Sequence, residues 1–487
     1  MNLDKILNNV SVKSIIGKID NVNISEVHFD SRKVRKGDLF VAINGTQLNG
    51  HDFISKATTK GAVAVILECL PTDLRDDVCY VLVEDSSYSM SIIAENYYDS
   101  PSKKINLIGV TGTNGKTTIV TLLYNLFSNM GYSAGMLSTI ENKIGKRSIK
   151  STHTTADALS INKMLSQMID EGCEYCFMEV SSHSLDQNRV SRLKFDGAVF
   201  TNISHEHLDY HNSFKEYIHT KKRLFDSLDS SSFAITNSDD RNGNVMILNT
   251  RAKRITYGIR SISDHKCKIL DSNIDTTHLS FNNKEIYINL IGEFNTYNFL
   301  AIYAVAHELG INEEDALINI SQLDSADGRF QTIRTLDNIT GIIDYAHTPD
   351  AYKNVLSTIN KIRSNEGNLI VVFGCGGDRD KEKRSEMTLI AMDMSDHVII
   401  TSDNPRSESI DDIISDMTRS LGSDDKNKII IISDREQAIK TSSKLARSGD
   451  VIALLGKGHE KYQEVNGVKH PFDDMEILKK YINKNIK

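Results

Sequence analysis

One stretch limits what this chain can fold into more than any other: Gly109-Val110-Thr111-Gly112-Thr113-Asn114-Gly115-Lys116-Thr117-Thr118. The apolar run Ile105-Asn106-Leu107-Ile108 before it reads as a buried strand, and Ile119 to Met130 after it carries apolar residues at helical spacing. Strand, glycine-rich turn and helix form the context of a phosphate-binding loop. The glycines let backbone N–H groups turn inward on a phosphate, and the helix N-terminus adds partial positive charge. Lys116 is expected to reach the outer phosphates and the Thr117 hydroxyl to meet Mg²⁺. The plain alternative is a glycine turn ahead of an ordinary helix. A strict motif has glycine where Val110 stands, so the spacing departs from that of common nucleotide triphosphatases.

At 487 residues the chain is long enough for about three domains. Its 39% hydrophobic and 25% charged residues make an ordinary globular balance. A net charge of −8 argues against a general nucleic-acid binder, while leaving room for a local basic cleft. Met1 to Val12 lacks the continuous apolar core of a signal peptide, and no apolar run approaches the ~18 residues that span a bilayer. The scattered cysteines Cys69, Cys79, Cys173, Cys176, Cys267 and Cys375 fit a reducing compartment, so a cytoplasmic location is expected. Cys173 and Cys176 form one C-x-x-C with no second pair or histidine partner nearby. They read as structural rather than as a redox or zinc pair.

Taken in order, Met1 to about Pro101 reads as a small α/β unit, with strands at 62–67 and 80–83. A second unit follows Pro101, with strands at 176–180, 197–201 and 232–236 and helical patterns such as 158–171. After Asp327-Gly328-Arg329-Phe330 a third unit repeats the alternation at 341–345, 369–374, 397–401, 429–432 and 450–455. Strands alternating with helices imply mostly parallel sheets covered on both faces, with ligands gathered at the carboxyl ends of the strands. The expected fold is α/β in three domains: 1–101, then 102–328 built on a parallel phosphate-loop sheet, then a Rossmann-like 329–487.

Polar clusters fall at those strand ends. Glu179 and the run Asn202 to His211 offer ligands beside the phosphate loop. Mg²⁺ takes oxygen ligands and shares phosphate oxygens, which suits Glu179 with His207 as a second ligand. Alternatively, His205, His207 and His211 make a zinc site.

Several motifs together resemble the Mur ligases, the ATP-dependent amide-bond-forming enzymes of bacterial cell-wall synthesis. They are Gly109 to Thr118, Glu179 to Leu185, Phe200 to His211 and Gly328-Arg329-Phe330. Asp344 to Ala351, Phe373 to Asp380, Asp403-Asn404-Pro405-Arg406 and Gly456-Lys457-Gly458-His459-Glu460 are similar to the branch that adds a diamino acid. The resemblance runs from about Asp30 to Glu460. It implies that ATP phosphorylates the free carboxylate of UDP-MurNAc-L-Ala-D-Glu, and that an amine of meso-diaminopimelate then attacks the acyl phosphate. Such a reaction concentrates negative charge, so catalysis rests on positioning and on cations, for which Lys116, Mg²⁺ and Arg329 are suited.

By the same resemblance, Gly112, Thr113, Asn114, Gly115, Lys116, Thr117 and Thr118 hold ATP, with Asn298 and Asp344 touching the nucleotide. Ser31 holds the uridine end, while Thr154, Thr155, Ser181, Gln187 and Arg189 hold the muramoyl-dipeptide. Lys221 matches a lysine that becomes a carbamate and, with Thr117, Glu179 and His207, joins the metal ligands; Lys222 is its rival, and a solvated helix face is the bland alternative. Arg379, Asp403, Asn404, Pro405, Arg406, Gly456 and Glu460 form the diaminopimelate site. The Arg406 fork suits the second carboxylate of diaminopimelate, which L-lysine lacks, and leaving it buried and unpaired costs roughly 2–5 kcal/mol. Glu460 faces an ammonium group.

Two departures from the family pattern stand out. Thr154-Thr155-Ala156 replaces Thr-Thr-Pro, and Glu206-His207-Leu208-Asp209 replaces Asp-His-Leu-Asp. A monomer is expected. The lysine-adding ligase, a folylpolyglutamate-type ligase and an inactive Mur-like scaffold are the competing readings.

Overall fold

The computed structural model describes residues 1–487 apart from 20, 46–47, 152, 205–209, 365, 423–424 and 483–487, and apart from the side chains of 426 and 427. The expected His207 ligand, the His205 alternative and the Glu206 departure therefore lie outside the described residues.

Among the described residues three large sheets follow one another along the chain, with a two-stranded hairpin near its end. In the first, Val27–His28, Leu39–Val41, Ala64–Leu67 and Cys79–Val83 run parallel, and Val12–Ile16 closes one edge antiparallel to Cys79–Val83. Its inner strands bury both faces: Val41, Ile66 and Val81 pack on one side, Phe40, Val65 and Tyr80 on the other. That is why they read as continuous apolar runs.

The second sheet is centred on Asn106–Thr111, which pairs in parallel with Tyr175–Glu179 and with Gly197–Phe200. Ala134–Leu137 extends it in parallel on one flank, Phe233–Asn237 and Lys253–Gly258 on the other. Alternate residues feed two cores: Ile108, Val110 and Phe177 face one layer, Leu107, Cys176 and Met178 the other. Cys173 and Cys176 are buried free thiols. Beyond this parallel centre, antiparallel strands extend both margins, Glu141–Ile144 with Arg147–Lys150 and His265–Ser272 with Thr277–Phe281 and Lys284–Ile288. Sequence reading missed these strands because they are half-exposed and alternate with polar residues instead of forming apolar runs.

In the third sheet, Thr340–Asp344, Val451–Leu455, Leu369–Phe373, His397–Ile400 and Ile429–Ile431 run parallel, with Gln331–Arg334 antiparallel at one edge. Val371, Ile400 and Ala453 pack against one helical layer, Ile370, Ile399 and Ile452 against the other. Each parallel strand ends in a turn at the carboxyl edge of its sheet, and those turns build the site.

Candidate active site

Val110 lies within the central strand, fully buried and paired with Glu179 and Val199, so its position needs no glycine. The turn begins after Thr111. Gly112 and Gly115 take φ of +151° and +87°, and a Cβ on Gly112 would stand 1.8 Å from Thr201 Oγ1. The next strand's end clamps the loop: Thr113 N donates to Asn202 O (2.8 Å), Asn114 N to Asn202 Oδ1 (2.9 Å) and Thr201 Oγ1 to Asn114 O (2.6 Å). Helix Lys116–Asn129 starts from Gly115 without a side-chain cap, which leaves its first-turn N–H groups for an anion. Lys116 Nζ curls over the loop, donating to Gly112 O (2.8 Å) and Thr113 O (2.7 Å).

A cavity of about 520 Å³ opens between this loop and the third sheet, lined by Asn114, Gly115, Thr118, Asn298, Arg329 and Asp344 among others. Arg329 spans the two domains. Its Nη2 donates to Thr117 Oγ1 at 3.2 Å, and its guanidinium lies 4.6 Å from the Tyr345 ring centre. Asn114 Nδ2 donates to Asp350 Oδ2 at 3.3 Å, a second bridge. Asn298 Oδ1 stands 2.9 Å from where a Gly115 Cβ would be. Asp344 accepts from Phe330 N and Ala346 N, both at 2.7 Å; burial raises its carboxyl and Arg329 opposes the shift. The His459 ring packs 4.9 Å from that of Tyr345. Burial, then the nearby Arg329 and Lys457 charges, push its imidazole down to about 3.

Beside the loop, Glu179 ends its strand fully buried, accepting from Thr139 N (2.7 Å) and Thr139 Oγ1 (3.2 Å). The same Thr139 oxygen lies 3.1 Å from Thr154 Oγ1, whose hydroxyl can donate to it. Thr155 Oγ1 donates to Glu179 O (2.8 Å) and accepts from Ser181 N (3.1 Å), while Arg189 Nη1 donates to Thr155 O (2.8 Å) and its Nε to Gln187 Oε1 (3.0 Å). Five residues expected at the dipeptide thus form one connected patch with Glu179. Ser31 is buried in a turn of the first domain.

Helix Phe214–Asp226 starts at the Ser213 cap, and it separates two adjacent lysines. Neither is solvated: Lys221 is 1% and Lys222 5% exposed, which removes the solvated-face alternative. Lys221 Nζ donates to Gly112 O of the phosphate loop at 3.0 Å, whereas Lys222 pairs with Asp226 one turn along.

The third-domain turns gather a different set. Arg406 takes φ of +52°, a strained conformation for a side chain, worth about 1–3 kcal/mol. Hairpin Tyr462–Val465/Val468–Pro471 holds it there: Arg406 N donates to Glu464 O (3.0 Å), and Asn466 N donates to Arg406 O (2.7 Å). The Arg406 Nη1 group donates to Gly377 O (2.7 Å), and Gly376 separates it from the Arg379 stem. Asn404 Nδ2 donates to Glu460 Oε2 (2.7 Å), and a Cβ on Gly456 would lie 2.6 Å from Asp403 Oδ2. Burial raises the Glu460 carboxyl, and Asp403 adds to the shift. All seven residues expected at the amino-acid site, Pro405 included, lie on these three neighbouring turns.

Sequence reading gave no role to Thr139, Arg260 or Lys457. Thr139 sits in no motif, and Arg260, at the cavity wall, follows a strand no motif marks. Lys457 stood inside a quoted motif, but a lysine between glycines gives no sign that it is buried.

Residues 110–306 match the Mur ligase middle domain, 328–458 the Mur ligase glutamate ligase domain, and 23–96 the Mur ligase family catalytic domain. The UDP-N-acetylmuramoyl-L-alanyl-D-glutamate--2,6-diaminopimelate ligase of Parabacteroides distasonis is 48% identical over 460 residues, 94% of this chain and 95% of that protein. The enzyme of the same name from Clostridioides difficile is 38% identical, covering 99% of this chain and 100% of its own. A solved structure of a ligase with that name superposes with a TM-score of 0.71 at 32% identity, covering 100% of this chain and 99% of the other. The MurF ligase of Thermotoga maritima, solved with ADP, shares the fold at 20% identity and TM-score 0.64, over 96% of this chain and 100% of its own.

Proposed function

We propose that this chain, which belongs to the Mur ligase family, joins meso-diaminopimelate to UDP-N-acetylmuramoyl-L-alanyl-D-glutamate in peptidoglycan synthesis, using ATP. The observation that carries the choice of amino acid is that Arg406, donating to Gly377 O, and Glu460, held by Asn404 Nδ2, stand on neighbouring turns: a guanidinium fork for a carboxylate and a carboxylate for an ammonium. In this reading residues 1–101 hold the UDP end through Ser31, 102–328 hold ATP, and 329–487 hold the amino acid through Arg379, Asp403, Asn404, Pro405, Arg406, Gly456 and Glu460.

The chemistry follows from the charges. The D-glutamate carboxylate attacks the γ-phosphorus of ATP and ADP leaves; an amine of diaminopimelate then attacks the acyl carbon and phosphate leaves. Lys116 and Arg329 meet the charge that builds on the phosphoryl oxygens. Thr154, Thr155, Ser181, Gln187 and Arg189 fix the dipeptide, so that its carboxylate approaches in line. Asn298 and Asp344 border the nucleotide.

The oxygen donors Thr117 and Glu179 fit Mg²⁺, with His207 and a carbamate on Lys221 completing the set; the ion would neutralise phosphate charge. Lys221 Nζ donates to a carbonyl of the phosphate loop, which supports the reading that a carbamate on it would serve the metal. Among the described residues no helix is long and apolar enough to cross a membrane, and we read the enzyme as a cytoplasmic monomer. The test is to incubate the protein with ATP, Mg²⁺, the UDP-dipeptide and diaminopimelate and weigh the UDP product. A gain of one diaminopimelate residue is expected; an unchanged mass contradicts the reading.

A further inference from the structure

Lys457 has no role in the ligase reaction as proposed. It follows strand Val451–Leu455 and is fully buried. Its Nζ donates to Asn404 Oδ1 at 3.1 Å and Glu460 Oε2 at 3.3 Å, and Asp403 Oδ1 lies 3.9 Å away. Asn404 is bound at both ends, since its Oδ1 also accepts from Glu464 N at 2.9 Å and its Nδ2 donates to Glu460 Oε2. One Glu460 oxygen is thus held from inside by two donors, and the other, Oε1, accepts no hydrogen bond from the described residues.

We propose that Lys457 is the internal counter-cation of the amino-acid pocket, a positioning residue that acts through Glu460 and Asn404 to present a carboxylate to the ammonium group of the incoming diamino acid. This rests on the diaminopimelate reading and adds to it. Two carboxylates, Asp403 and Glu460, stand in one buried pocket, where burial and then Asp403 oppose the ionisation of Glu460. One lysine cancels one of them. Among Asp403, Glu460 and Lys457 one negative charge remains for a ligand ammonium, while Arg406 takes the carboxylate.

The other groups around Glu460 do not replace Lys457. Arg406 is engaged with Gly377 O and lies 3.8 Å from Glu464. His459 is neutral at working pH, Tyr345 is uncharged there, and Lys469 lies over the Tyr462 ring of the hairpin. Without Lys457, burial and Asp403 both favour the protonated Glu460, which cannot pair with an ammonium.

The experiment measures KM for diaminopimelate, ATP and the UDP-dipeptide in wild type and Lys457→Met, from about pH 6 to about pH 8.5. For the variant we expect KM for diaminopimelate to rise at least about tenfold near neutral pH, and the other two KM values to stay within about twofold. The defect should shrink as pH rises and Glu460 ionises. Unchanged diaminopimelate KM, or a defect independent of pH, overturns the proposal. Should the variant not fold, wild type decides: its diaminopimelate KM should be flat across about pH 6 to about pH 8, and a steep fall with rising pH contradicts an already paired Glu460. A wild type without diaminopimelate turnover sinks the underlying reading instead.

Discussion

At the residue scale, the site combines side chains whose roles divide by charge. Arg406→Ala should raise KM for diaminopimelate by ~30-fold or more, the equivalent of the lower end of roughly 2–5 kcal/mol for a desolvated pair. Its kcat should change less, as steady-state kinetics will read. Lys221→Ala should abolish ligation, because the variant cannot form a carbamate beside the phosphate loop; partial return of activity with short carboxylic acids is the expected signature, and full activity without them contradicts the role.

The roles given to most of these residues came from the resemblance of their motifs to the Mur ligases; that the motifs sit on turns after strands was legible from the apolar runs before them. Which of two adjacent lysines faces the loop was not legible: the helical phase of Phe214–Asp226 against the phosphate loop decides it, and that is a tertiary fact. Lys457 was missed for a related reason, since its burial depends on an acceptor from Asn404 on another turn, beside Glu460 on its own.

At the element scale, what positions the amino-acid pocket is a buried ion pair behind it. Arg435, at the start of helix Arg435–Leu445, is 1% exposed and pairs with Asp474 (2.6 Å). Its other N–H groups donate to Ser402 O (3.2 Å) and Leu455 O (3.1 Å), the carbonyls just before Asp403 and Gly456. Asp474→Ala leaves that guanidinium without its counter-charge and should lower stability by about 3–5 kcal/mol, measured by urea unfolding. A change under about 1 kcal/mol would show the pair to be dispensable.

The parallel strands were readable because strands buried on both faces must be apolar throughout, as Leu369–Phe373 and Val451–Leu455 are. The edge strands were not, because Arg147–Lys150 and Lys284–Ile288 expose most of their side chains and owe their place to pairing partners.

For the whole molecule, the cavity beside the phosphate loop lies between domains, and contacts such as Arg329 to Thr117 bridge it. His459 ties acid stability to this seam. Its folded value of about 3 lies below the unfolded value near 6.5, so between them the unfolded chain binds a proton that the folded chain refuses. Stability from this group is therefore complete above about pH 6.5 and falls as pH drops toward about 3, by about 2 kcal/mol at pH ~5. His459→Gln should flatten that part of the pH–stability curve, as urea midpoints at about pH 7.5 and about pH 5 will tell; an unaltered slope contradicts the assignment.

The central claim is that this is a ligase whose amino-acid pocket is built for a second carboxylate. The most direct measurement is phosphate release with ATP, Mg²⁺ and UDP-MurNAc-L-Ala-D-Glu, with meso-diaminopimelate and L-lysine in separate reactions. Release sustained only by diaminopimelate is the predicted result. Equal release with lysine would keep the ligase and contradict the role of Arg406, and no release with either would contradict the enzyme itself.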